Sequence, residues 1–191
     1  RVEEGTDFYR RHPRWSKMGK MVSDVSDAIT SLQQLDMIDP DAIHVAGFSL
    51  GGTLGLYAAA LDTRITSVAA FGAFSPLRAT YEHDALPGIY EYSHVHGLQP
   101  RLGFFAGYEN RLPVDFAEII AGIAPRDVLL LAPRYDQDAD LDEVVKCVSS
   151  IKDVYALYDA DAAIHFETPE YYNQFTQRQF EIFLDWLRAR D

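Results

Sequence analysis

Hydrophobic positions alternate along the chain between helical spacing and short continuous runs. Residues 18–35 carry apolar side chains three and four positions apart, which predicts an amphipathic helix. The apolar run 43–48 predicts a strand, and the Gly- and Ala-rich stretch 50–61 predicts the helix that follows it. A second apolar run, over residues 65–74, predicts the next strand.

The second half of the chain continues this alternation. Its predicted elements are a helix over 115–124, a strand over 128–132, a helix over 140–151, a last strand over 154–158 and a helix over 176–190. Strands that alternate with helices are typical of a parallel sheet with helices packed on its faces. We therefore expect an α/β fold with a mostly parallel sheet.

Residues 76–113 interrupt the alternation with four prolines, several glycines and many aromatic residues. This composition predicts an irregular insertion or cap inside a single domain that spans residues 1–191. Aromatic residues between Tyr81 and Tyr108, together with Trp15 and Tyr135, are candidates for shaping a substrate pocket.

Composition and charge exclude several classes of protein. Hydrophobic residues make up 48% of the 191 residues, which excludes a disordered chain, and the single cysteine excludes a disulfide scaffold. No apolar run is long enough to span a bilayer. The net charge of -12 opposes binding to nucleic acid or to an anionic membrane. We expect a soluble protein and lean towards the cytoplasm, although the sequence leaves the compartment unknown.

The strongest chemical signal is Gly47-Phe48-Ser49-Leu50-Gly51, which fits the pattern G-x-S-x-G. A predicted strand leads into this motif and a predicted helix leads out of it, as the motif requires. The sharp turn would hold the Ser49 hydroxyl clear of the sheet, and Gly47 and Gly51 would avoid collisions between strand and helix. The alternative is a glycine-rich turn that binds a phosphate or nothing, but neither phosphate-loop pattern is present.

Around this motif the sequence resembles the α/β-hydrolase superfamily, and most of all the branch of dienelactone hydrolases and acetyl xylan esterases. The segments that carry the resemblance are residues 38–52, 58–64, 112–118 and 123–126. The resemblance covers nearly the whole chain and implies an α/β-hydrolase type of fold and a carboxylic ester hydrolase.

The resemblance also implies a catalytic triad whose members follow in the chain order Ser, Asp or Glu, His. A serine hydroxyl is a weak nucleophile, so it needs a histidine base that a carboxylate orients. Asp136 directly follows the predicted strand 128–132 and stands at the family's acid position. Asp138 is its main competitor, and Asp140 is better explained as a helix cap. The alternative is that all three aspartates serve only as turn or helix-cap residues.

The base is expected after the last strand, where His165 is the one candidate because no other histidine follows residue 96. The alternative is that His165 is a solvent-exposed loop histidine without a catalytic role. His44, within a predicted strand, is interpreted as a sheet or core residue. His83, His94 and His96 lie in the insertion, where a substrate contact is favoured over a metal site because no complete ligand motif accompanies them.

We therefore predict a serine hydrolase that cleaves carboxylic esters and needs neither cofactor nor metal. Ser49 attacks the carbonyl, His165 accepts its proton, Asp136 orients His165, and the Leu50 N–H donates to the oxyanion. Cys147, among valines of a predicted helix, is interpreted as a core residue. The branch favours a carbohydrate-linked ester. The alternatives are a peptidase or lactone hydrolase with the same triad, or a hydrolase-like binding module without turnover.

One departure from the family concerns its upstream strands and second oxyanion donor. Residues 1–17 are too few to hold those strands, so the second donor is left unassigned. We expect that the chain is the C-terminal portion of a longer protein, associates with another chain, or exposes a sheet edge. Because an exposed edge invites pairing, a homo-oligomer is a reasonable expectation beside a small-molecule ester substrate.

Overall fold

A computed structural model of the chain describes residues 2–79 and 88–190. Its centre is a sheet of four parallel strands in the order β1-β2-β3-β4. The strands are β1 Ile43–Phe48, β2 Ile65–Phe71, β3 Asp127–Leu131 and β4 Ile164–Glu167. The helices are α1 Val2–Arg11, α2 Lys17–Leu32, α3 Leu50–Leu61, α4 Phe116–Ala121, α5 Leu141–Ala156 and α6 Gln177–Arg188. The predicted α/β class with a parallel sheet is confirmed, and all four strands end at the same edge.

The two central strands, β2 and β3, are buried on both faces because successive side chains of a strand point to opposite faces. Val68 and Leu130 join one apolar cluster with α3, α4 and α5. Ala69 and Leu129 join a second cluster with Trp186 of α6. A strand covered on both faces needs a continuous apolar run, which is why residues 65–71 and 127–131 lack polar alternation.

The predicted last strand over residues 154–158 is wrong. Helix α5 continues to Ala156, and Ile151 and Tyr155 extend its buried stripe by one further turn. A short apolar run is compatible with either a strand or a helix, and no stop signal separates residues 151 and 154. The last strand is β4 instead, so His165 lies inside a strand rather than in the loop that follows it.

Other bounds differ by a few residues. Strand β1 and helix α3 have the predicted bounds, whereas α2 ends at Leu32 instead of residue 35. Strand β2 stops at Phe71 because Gly72 turns the chain at a φ of 50°, in the left-handed region that favours glycine. The sequence predicted no element before residue 18, where α1 lies.

The described part of the predicted insertion contains short turns. A turn of π-helix covers Glu91–Val95, and 3₁₀ turns cover Pro100–Phe105 and Glu109–Arg111. Residues 80–87, with Tyr81 and His83, lie outside the described residues, and the cap itself stays a prediction. In the two described ranges, no helix combines the length and the apolarity needed to cross a bilayer.

A buried carboxylate joins the chain after β2 to helix α4. Asp115 precedes the first residue of α4, is 3% exposed, and accepts hydrogen bonds from the backbone N–H groups of Leu77 and Arg78 at 2.8 Å each. The Glu118 carboxylate accepts a hydrogen bond from the Asp115 N–H and pairs with the Arg78 guanidinium at 2.6 Å. This network ties residues 77 and 78, shortly after β2, to the start of α4.

We expect Asp115→Ala to lower the free energy of unfolding by about 3 kcal/mol, because it leaves buried N–H groups without an acceptor. Asp140→Ala is the matched control, since Asp140 caps the N-terminus of α5 at an exposed position. Its loss should be about 1 kcal/mol. Urea unfolding of both variants measures the two values, and equal losses would contradict a special role for Asp115.

Candidate active site

Ser49 occupies a strained turn between β1 and α3. Its φ of 51° and ψ of -125° place a residue with a side chain in a region that glycine normally occupies. The Ser49 N–H donates to the Phe71 carbonyl at 2.8 Å, which holds the turn against the end of β2. The side chain is thereby carried to the edge where the four strands end.

Close backbone contacts make this turn possible. A Cβ on Gly47 would lie 2.2 Å from the carbonyl carbon of Gly51 and 2.5 Å from the nitrogen of Gly52, so only glycine fits there. A Cβ on Gly52 would lie 2.7 Å from both the Gly47 oxygen and the Ala73 Cβ. The expectation that Gly51 avoids such a collision is wrong, because a Cβ there would meet nothing within 4 Å. Gly47 and Gly52 carry the steric requirement instead.

Ser49 opens into a cavity of about 260 Å³ at this edge of the sheet. Leu50, Asp136 and Asp138 also line it, so the structure brings the predicted nucleophile, oxyanion donor and acid together. Leu50 is the first residue of α3, and the free N–H groups of a helix N-terminus favour a developing negative charge. Asn173 and the pair Glu91 and His96, none of which was predicted for catalysis, also line the cavity.

Asp136 is half-buried on the wall of the cavity. Burial raises the pKa of its carboxyl above the usual value of 3.8. The hydrogen bonds from the Asp138 N–H and the Asn173 amide lower that pKa, but burial has the larger effect. Asn173 belongs to the loop after β4, and its Oδ1 is a buried atom without a hydrogen-bond partner. That oxygen packs against Gly72, where it leaves no room for a Cβ.

His165 is not among the residues that line this cavity. It lies in β4, half-exposed, with Nε2 at 2.7 Å from Oε1 of Glu167. Two strands separate β4 from β1, so three spacings of about 4.8 Å place His165 about 14 Å from the strand that leads to Ser49. An imidazole cannot cover that distance. The loop after β4 does return across the sheet, but the residue that it places at the cavity is Asn173 and not His165.

Aromatic contacts hold the loop after β4 in this position. The Phe175 ring lies 6.0 Å from that of Phe48 and 5.2 Å from that of Phe71, measured between ring centroids. These contacts seat the loop above the ends of β1 and β2. The sequence predicted a histidine base after the last strand, and Asn173 carried no signal of its own because asparagine is common in loops.

The remaining candidates have other partners. His44 contacts the Ser67 hydroxyl at 2.7 Å across β1 and β2, in line with a sheet position. Burial raises the pKa of Cys147 to about 12, which fits the predicted core residue. Trp15 lines a separate apolar cavity, and Tyr135 packs on Tyr172, so neither borders Ser49. Among the residues described, no group of three metal-ligating side chains occurs.

The parallel sheet and the serine on a strained strand-to-helix turn define an α/β-hydrolase type of protein. The chain belongs to the glucuronyl esterase family, because the family model "Glucuronyl esterase, fungi" matches residues 4–158. This membership agrees with the carbohydrate esterase branch that the sequence resembles. No curated protein matches the chain in sequence.

Solved structures of esterases have the same fold. A promiscuous CE15 esterase from the marine bacterial metagenome superposes with a TM-score of 0.81 and 18% identity, over 91% of this chain and 48% of the esterase. A glucuronoyl esterase from Solibacter usitatus superposes with a TM-score of 0.78 and 16% identity, over 92% of this chain and 49% of the esterase. A CE15 glucuronoyl esterase from Caldicellulosiruptor kristjansonii superposes with a TM-score of 0.77 and 20% identity, over 94% of this chain and 53% of the esterase. The chain spans about half the length of these structures.

The raised pKa of Asp136 predicts a stability effect with a definite sign. Because the folded-state pKa exceeds the unfolded one, the protonated carboxyl favours the fold at low pH, and this contribution is lost as the pH rises from the unfolded pKa through the folded one. Asp136→Asn should therefore raise the free energy of unfolding near pH 7 and leave it nearly unchanged below about pH 3.5.

Urea unfolding at both pH values measures this difference. The matched control is Asp153→Asn, which changes an exposed carboxylate on α5 and should alter neither value appreciably. A loss of stability near pH 7 in Asp136→Asn would show that the buried carboxylate is stabilised by its partners, contrary to this account.

Proposed function

We propose that this protein is a serine esterase that cleaves carboxylic esters linked to carbohydrates. Membership of the glucuronyl esterase family and the likeness to CE15 esterases support this proposal. The observation that carries it is the placement of Ser49, a residue with positive φ whose turn opens into a cavity. Strain of this kind persists where function requires it.

The reaction proceeds through an acyl-enzyme. The Ser49 oxygen attacks the ester carbonyl while its proton passes to an imidazole, and the tetrahedral intermediate expels the alcohol, which takes up that proton. Water then attacks the acyl group, releasing the carboxylic acid and restoring Ser49. The Leu50 N–H at the start of α3 donates to the oxyanion in both steps.

We assign the acid to Asp136 and the base to His165 on the family resemblance. In the described conformation His165 is paired with Glu167 outside the cavity. Turnover through His165 therefore requires the end of β4 and the loop after it to move towards Ser49. The position of His165 favours one second candidate, a hydrolase-like binding module that forms no acyl-enzyme.

A fluorophosphonate probe tests the nucleophile, because it reacts covalently with activated serine hydroxyls. We expect the wild-type chain to be labelled and Ser49→Ala to remain unlabelled. Ser93→Ala is the matched control and should keep its labelling, since the Ser93 hydroxyl is bound to the Ile89 carbonyl at 2.6 Å. Wild-type protein that resists the probe would favour the binding module.

The base is tested separately with p-nitrophenyl acetate. We expect His165→Ala to lower kcat by about 10²–10⁴, the usual contribution of a general base, with an unchanged melting temperature. His44→Ala is the control, because His44 is held by Ser67 in the sheet. Full activity in His165→Ala would refute the assignment of His165.

A further inference from the structure

A second cavity, of about 440 Å³, lies where the turn between α1 and α2 meets the 88–113 segment, the described part of the insertion. Among the described residues, none lines both this cavity and the one that contains Ser49. Its volume falls within the range of about 300–1,000 Å³ that small-molecule sites occupy in proteins. The second cavity is therefore a candidate for a ligand site of its own.

The buried part of the lining is apolar and is held from behind. It consists of Leu77, Leu112 and Ile119. The Leu77 N–H donates to the Asp115 carboxylate at 2.8 Å, and the Leu112 carbonyl accepts a hydrogen bond from the Arg78 guanidinium at 3.0 Å. These bonds fix the backbone behind the cavity. A preformed apolar surface loses little conformational freedom when a ligand covers it.

Aromatic rings form much of the remaining wall. They are Tyr9, Trp15, Tyr57 and Phe105. The Tyr9 ring is held in place because its hydroxyl donates to the Gly97 carbonyl at 2.6 Å. Trp15 is half-exposed, so one part of its ring remains available to a ligand. Flat rings on the wall favour a ligand that is itself planar and aromatic.

Two arginines give the cavity positive charge in a chain that is acidic overall. Arg14, in the turn between α1 and α2, and Arg101, in the 3₁₀ turn Pro100–Phe105, are exposed and line the cavity. No described residue of the lining is Asp or Glu, although the chain has 29 acidic and 17 basic residues. Within the described part of the chain, neither guanidinium has an ion-pair or hydrogen-bond partner. A guanidinium group matches a carboxylate in both charge and shape.

The polar groups deeper in the cavity are neutral. The Tyr57 hydroxyl donates to Oε1 of Gln99 at 3.5 Å, which leaves the Gln99 amide as a donor. Burial raises the pKa of Tyr57, so its phenol carries no negative charge at neutral pH. Neither side chain therefore repels an anion.

We propose that the second cavity is a binding site for an aromatic carboxylate, whose ring packs on Trp15 and the apolar lining and whose carboxylate pairs with Arg14 and Arg101. The site is separate from the proposed ester chemistry, and it stands even if Ser49 forms no acyl-enzyme. A neutral sugar would leave the apolar lining without contacts, and a free inorganic anion would leave the aromatic walls unused. An amphipathic anion matches both parts.

Calorimetric titration with 2-naphthoate and with 2-naphthamide, its neutral isostere, tests the proposal. We expect one 2-naphthoate to bind per chain, about 10-fold more tightly than the amide, because hydrogen bonds to a charged group are the stronger ones. Arg14→Gln and Arg101→Gln should each weaken 2-naphthoate binding about 10-fold and leave 2-naphthamide binding nearly unchanged. Trp15→Ala should weaken both ligands by the same factor, because both carry the same ring.

Arg111→Gln is the matched control. Arg111 is exposed, lies in the neighbouring 3₁₀ turn and does not line the cavity, so the variant loses the same charge away from the site. It should bind both ligands as the wild type does. A loss in Arg111→Gln equal to that in Arg14→Gln would make the effect one of net charge and overturn the proposal. Equal affinity for the acid and the amide in the wild type, or no binding of 2-naphthoate, would also overturn it.

Two further measurements test where the ligand binds and whether the cavity is free. Binding of 2-naphthoate to Ser49→Ala with unchanged affinity supports a separate site, whereas lost binding would place the ligand at Ser49 and overturn the proposal. Sedimentation equilibrium tests a second copy of the chain as the occupant. A monomer, or a dimer that still binds 2-naphthoate, supports the site, and a dimer that excludes the ligand overturns it.

Discussion

The contact of backbone on backbone between β1 and α3 is the constraint on which the site depends. Gly47 lies so near Gly51 and Gly52 that any side chain on it would overlap peptide atoms. Because strand and helix touch there, the chain must reverse within one residue, and Ser49 takes the positive φ that results. The position of the serine and the direction of the first N–H groups of α3 both follow from this contact.

The parallel sheet supplies the rest of the site. All strand ends lie at one edge, so Ser49 after β1, Gly72 after β2 and Asp136 after β3 reach the same cavity. The loop after β4 crosses back over these ends and adds Asn173. The 88–113 segment adds the Glu91 carboxylate to those of Asp136 and Asp138, and no described residue of the lining is Lys or Arg.

Local patterns in the sequence were sufficient for β1, the serine turn and α3, because apolar runs and small residues specify them directly. The local patterns failed at residues 154–158, because the apolar residues in the last turn of a helix form the same kind of short run as a buried strand. The placement of Ser49 and Asp136 at one cavity was predictable because each follows a strand end; their catalytic roles stay predictions. The approach of Glu91, His96 and Asn173 depends on tertiary loop paths, which single-sequence patterns do not encode.

Trapping the acyl-enzyme tests the central claim most directly. The chain is mixed with p-nitrophenyl acetate, quenched in acid during turnover and digested, and the peptides are weighed by mass spectrometry. The account predicts one added acetyl group on the peptide that contains Ser49, at that side chain. Turnover with an unmodified Ser49 peptide, or with the acetyl group on another residue, would contradict it.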